Sequence, residues 1–162
     1  MTARRLTLAV LAVIAAAVMS SAGWDRFKES RAAEAAVVLT PHDAAVVARG
    51  KDVYRDQCAQ CHGANLEGEA GWREPLPNGR MKAPPHDASG HTWHHADAVL
   101  FKITKYGPAK VVGGGYQSNM PGFVEQVSDA DIVAVLSYIK STWPDRIKQR
   151  HDKINERANG AK

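Results

Sequence analysis

Cysteine is scarce in this chain: Cys58 and Cys61 are the only two among 162 residues. A small exported fold stapled by disulfides needs several bridges spread along its length, and two thiols three positions apart cannot supply them. No internal repeat is present, and no run of residues reads as a convincing strand, so the βαβ setting of a thioredoxin-like dithiol is missing. With 44% hydrophobic and 23% charged residues, the composition is that of an ordinary globular domain, which excludes both disorder and a polytopic membrane protein. A basic face is lacking as well. The formal charge is +4, yet residues 40–144 hold ten Lys/Arg against eleven Asp/Glu, and the excess falls in residues 145–162 and in the N-terminal extension. Without a basic stripe or an RNP-type aromatic motif, nucleic acid is not an expected partner.

The organisation along the chain follows from local signals. Arg4 and Arg5 precede an uncharged stretch from Leu6 to Trp24. Helical residues rise about 1.5 Å each, so residues 6–23 reach roughly 27 Å, near the lower limit of a membrane span. The expectation is a membrane anchor with Trp24 at the interface. The alternative is a cleaved signal peptide, with Ser20 and Ala22 at the −3 and −1 positions. Both readings place the rest of the chain outside the cytoplasm. Residues 1–23 are therefore taken as signal-anchor or signal, 24–39 as linker, 40–144 as the folded domain and 145–162 as a charged tail.

Within the domain, Thr40 is expected as an N-cap with Pro41 at the first helical position and Asp43 in the first turn. Val46, Val47, Val53 and Tyr54 give this helix an apolar face up to Cys58, interrupted by Gly50, whose presence mid-helix calls for a close packing contact. Residues 95–106 read as another helix, with Ala98, Val99, Phe101 and Ile103 on its apolar side. Ser128 caps a last helix whose stripe is Ile132, Val135, Leu136 and Ile139, ended by Pro144. The tail 145–157 has only Ile147 and Ile154 as aliphatic anchors and reads as a solvated, frayed helix. Residues 63–93 show no periodicity, and so long a loop is uncommon in a compact domain unless something besides side chains fills the interior. A cofactor would do so.

The chemistry concentrates in Cys58-Ala59-Gln60-Cys61-His62. C-x-x-C-H is the pattern of covalent haem attachment: two thiols three apart form thioethers to the two vinyl groups, and the adjoining imidazole reaches the iron. A zinc site recruiting His91 with His94 or His95 has the wrong mutual spacing. Haem iron used for electron transfer needs a second axial ligand, and a thioether raises the potential relative to nitrogen. Of Met1, Met19, Met81 and Met120, the first two lie in the targeting segment and Met81 stands between Arg80 and Lys82 in a solvent-facing context. Met120, in the turn Asn119-Met120-Pro121-Gly122, is the candidate ligand. The histidines at 86, 91, 94 and 95 are read as solvent-facing or hydrogen-bonded, with bis-histidine ligation or a copper site as minor alternatives.

These motifs together resemble the class I cytochrome c family, especially single-haem bacterial members with an N-terminal anchor. The resemblance spans about residues 42–143 and rests on Gly50-Lys-Asp-Val-Tyr54, Cys58-Ala-Gln-Cys-His-Gly63, Ala83-Pro-Pro85, Asn119-Met-Pro121 and Tyr138-Ile-Lys-Ser-Thr-Trp143. It implies an all-α shell of three to four main helices around one covalent haem c, with Gly50 and Tyr54 meeting Tyr138 where the first and last helices cross. It further implies a proline carbonyl that accepts the hydrogen bond of the ligand histidine, matched by Pro84, with Pro85 as the alternative. The loop Gly63–His95 is longer and richer in histidine than in short members. The expected function is single-electron transfer without substrate turnover, between respiratory complexes or periplasmic dehydrogenases, at the inner membrane or free in the periplasm. A haem sensor or peroxidase-like enzyme with a labile sixth ligand is the alternative.

Overall fold

A computed structural model describes residues 37–160. Six α-helices are found there: α1 (Ala44–Gln57), α2 (Ala59–His62), α3 (Asp97–Tyr106), α4 (Pro108–Val112), α5 (Asp129–Ser141) and α6 (Asp145–Gly160), with a 3-10 turn at Thr92–His94. Among the described residues there is no strand, only an isolated antiparallel bridge between Pro75 and Met81. The fold is all-α, as expected. No described helix is long and apolar enough to cross a membrane; the segment 6–23 read as an anchor lies outside the described residues.

The long helix α5 follows its sequence pattern closely. Ser128 Oγ accepts the Asp131 N–H, and Asp129 and Asp131 complement the helix dipole in the first turn. Ile132, Val135, Leu136 and Ile139 are all buried, at 0–4% exposure. This stripe crosses α1 at Gly50. A Cβ there would run into the Ala134 carbonyl and come within 2.9 Å of Tyr138 Cβ, so glycine is what lets the two backbones approach. Tyr54, one turn on, packs its ring 5.7 Å from that of Tyr138. The crossing implied by the family resemblance is present.

Three local expectations are corrected. The N-cap of α1 is Asp43, whose Oδ1 accepts from the Ala45 and Val46 N–H groups, and not Thr40. The carboxylate, a strong cap itself, starts the helix three residues later, while Thr40 serves a turn and donates its N–H to Ser137 Oγ. In α3 the buried face is Asp97, Leu100 and Phe101, with Val99 39% exposed. A polar Asp97 and Thr104 at i and i+7 hid this stripe in the sequence.

The third correction concerns the tail. Residues 145–160 form a helix of which Ile147 and His151 are buried, His151 completely. Lys140, itself buried on α5, reaches Asp152 at 2.6 Å. Asn155 is paired with Asp97, accepting its N–H and donating to its Oδ1, and Arg150 lies over the Trp93 ring. His151 Nε2–H donates to the His95 carbonyl at 2.8 Å, and its ring meets Trp143 edge-on. The polar side of α6 is therefore a docking surface built from specific hydrogen bonds.

His151 carries a pH dependence. Its Nδ1 is buried and has no partner, so protonation would create an unpaired buried N–H. Burial first, then Lys140, lowers its pKa against the opposing pull of Asp97 and Asp152. The unfolded chain thus takes up a proton near pH 6.5 that the folded chain refuses, and stability falls as pH drops through that value. One such group contributes a slope of at most about 1.4 kcal/mol per pH unit. Urea titrations between about pH 7 and 5 should show a shallower slope for His151→Phe than for wild type. An unchanged slope in a folded variant would show that His151 does not sense pH.

Candidate functional site

The C-terminal end of α1 sets the position of the thiols. Cys58 both ends α1, its N–H bonded to the Tyr54 carbonyl, and precedes α2. Its carbonyl accepts from the Cys61 and His62 N–H groups, so Cys58 and Cys61 lie one turn apart on the same side. Both are free thiols; Cys58 is half-buried and Cys61 exposed. Burial, then Cys61, pushes the Cys58 thiol up to about 11. A dithiol redox pair works through a thiolate of lowered pKa, which is the reverse of this arrangement.

His62 is buried at the end of α2. Its Nδ1–H donates to the carbonyl of Pro84 at 2.8 Å, a bond made by Pro84 and not by Pro85. Because a carbonyl only accepts, the proton is fixed on Nδ1, and Nε2 is left with its lone pair available to a metal. Desolvation lowers the pKa of His62 more than the Pro84 bond and Glu69 raise it, so the ring is neutral, the form that ligates. The Tyr54 hydroxyl lies 2.8 Å from the Gly63 carbonyl and 3.2 Å from that of His62, tying the ligand's backbone to the helix crossing. Sequence reading placed Tyr54 at the crossing and missed this bond, which pattern alone does not encode.

Met120 stands on a separate loop and is partly buried. Its N–H donates to Ser118 Oγ, and Arg80 holds the flanking residues by donating to Asn119 Oδ1 at 2.8 Å and to Gln117 Oε1 at 3.4 Å. The long loop from residue 63 thus restrains the Met120 turn through a side chain that the sequence had not singled out. Met81, next to that arginine, is 40% exposed.

The four loop histidines are engaged with other rings. His86 stacks on His62 and His91 on Trp72, His94 lies tilted against Trp93, and His95 meets His91 edge-on. Among the described residues no group of three or more His, Cys, Asp or Glu side chains could hold a metal ion.

The donors present suit a haem: two unpaired thiols one helical turn apart, whose S–H bonds add across vinyl groups, and a neutral imidazole with Nε2 uncommitted. When bound, the haem supplies an iron that cycles between Fe(III) and Fe(II). The chain's own contribution is to fix the imidazole tautomer through Pro84, hold its backbone through Tyr54, and bury the ring beside His86.

No solved structure matches the chain. The family model for cytochrome c matches residues 47–143, which takes in the helix crossing, the thiols, His62, Pro84 and Met120. With those residues folded as described, the chain belongs to the cytochrome c family, as a haem-binding electron-transfer protein with a covalently attached c-type haem.

Proposed function

We propose that this protein is a single-electron carrier whose haem iron is held by His62 on one side and Met120 on the other, and that it turns over no substrate. The observation that carries the reading is the fixed tautomer of His62, joined to a methionine turn that Arg80 straps in place. Electron transfer works best when both axial ligands stay bound through the redox change, and restraint of both is what these hydrogen bonds provide. The neutral, soft thioether of Met120 favours Fe(II) and keeps the potential high.

Residues 6–23 are proposed to deliver the domain out of the cytoplasm, as an inner-membrane anchor or a cleaved signal, with residues 24–39 as tether, residues 40–144 as the haem domain and residues 145–162 as its C-terminal extension. Its partners on the periplasmic side are proposed to be respiratory complexes or dehydrogenases, which dock on carriers of this kind through small, brief interfaces. The competing reading is a haem sensor or peroxidase-like enzyme whose sixth ligand leaves. Carbon monoxide separates the two. The reduced wild-type protein should show no spectral change under carbon monoxide and no peroxide turnover; ready binding would favour the sensor or peroxidase.

A further inference from the structure

His86 is the residue in this site that the electron-transfer reading leaves without a role. Its ring lies face to face with that of His62, centroids 4.0 Å apart and planes inclined by 24°. The placement is heavily constrained. The His86 N–H donates to the Leu66 carbonyl at 2.8 Å, its own carbonyl accepts from Trp143 Nε1 at 2.8 Å, and its Nδ1 shares a 2.8 Å hydrogen bond with Thr92 Oγ1. The Tyr54 ring meets it edge-on, centroids 6.2 Å apart. Thr92 is buried and belongs to the segment on which α6 docks through His95 and Trp93. A ring held at backbone and side chain from α1, the loop and the Trp143 end of α5 has little freedom to turn away from His62.

One consequence follows from elementary chemistry. A flat neighbour stacked on an imidazole restricts rotation of that imidazole about the axis that its Pro84 hydrogen bond leaves open.

We infer that His86 is a positioning residue for His62, fixing the plane of the ligand imidazole. This rests on the proposed ligation by His62. The test uses the full-length haem-loaded protein. His86→Leu should shift the paramagnetic haem-methyl NMR resonances of the ferric protein, which report imidazole orientation. His86→Phe, which keeps a flat ring against His62, should restore the wild-type resonance pattern. A folded, haem-loaded His86→Leu protein with wild-type resonances would overturn the inference, as would failure of His86→Phe to restore the pattern. If His86→Leu does not take up haem, Thr92→Val, which removes the side-chain anchor of the ring, is read in the same way: displaced resonances are expected, and an unchanged spectrum overturns the inference. Ferric spectra without an imidazole ligand in the wild-type protein would instead strike at the ligation by His62 itself.

Discussion

Replacing Cys58 and Cys61 together by Ala is expected to abolish haem that stays with the chain through denaturing electrophoresis, and to leave a chain that is largely unfolded. The first outcome follows from chemistry, since no other cysteine exists to form a thioether. The second follows from the core. Its buried side chains include Val53, Tyr54 and Leu66 around the attachment helix, with Cys58 and Ala59 packed against them. The loop that covers this region is long and contains no α-helix of its own. A domain of this size has only a small margin of stability, about 5–15 kcal/mol, and losing the apolar surface of a covalent cofactor removes a large part of it. Far-UV circular dichroism should therefore show reduced helix content in the double variant. A variant with native helicity and no haem would show that the protein shell is stable alone.

Met120→Ala is expected to have the next largest effect, on the iron rather than on the fold. The thioether is replaced by a methyl group, so the weak sulfur-to-iron charge-transfer band at the red end of the visible spectrum should vanish. The reduced protein should bind carbon monoxide, and the midpoint potential should fall by a sizeable part of the roughly 0.8 V range that axial ligands span. Folding should survive, because Met120 is only partly buried and the turn keeps its anchors: Arg80 to Asn119, and Phe123 N–H to the Thr104 carbonyl. Met81→Ala should leave band, gas binding and potential unchanged. If instead Met81→Ala removes the band and Met120→Ala leaves it, Met81 is the ligand and the turn at 119–122 has another purpose.

Elements whose information is local were legible in the sequence. The α5 stripe, its Ser128 cap and the end at Pro144 are all written within seventeen residues, and Gly50 announced a close approach because nothing else excuses a glycine in mid-helix. The attachment run Cys58–His62 was legible for the same reason: its chemistry depends on spacing alone. What stayed hidden depends on partners far along the chain. The docking of α6 needs Asn155 to find Asp97 and His151 to find the His95 carbonyl, each more than fifty residues away. A helix with two isoleucines and a wealth of charge reads as solvated when those partners are out of sight. In the sequence His86 is one of four loop histidines, and only folding distinguishes the ring that lies on His62 from the ones that lie against Trp72 and Trp93. Arg80, a charged residue beside Met81, reads as solvated in the sequence, whereas its guanidinium organises the turn that carries Met120.

The most direct test of the covalent haem is the intact mass of the wild-type protein, isolated from cells that mature c-type cytochromes and measured under denaturing, acidic conditions. The mass expected is that of the polypeptide plus one haem, falling to the bare polypeptide in the Cys58→Ala, Cys61→Ala variant. A wild-type chain that appears at the mass of the polypeptide alone, its haem released to acid–acetone, would contradict attachment at Cys58 and Cys61.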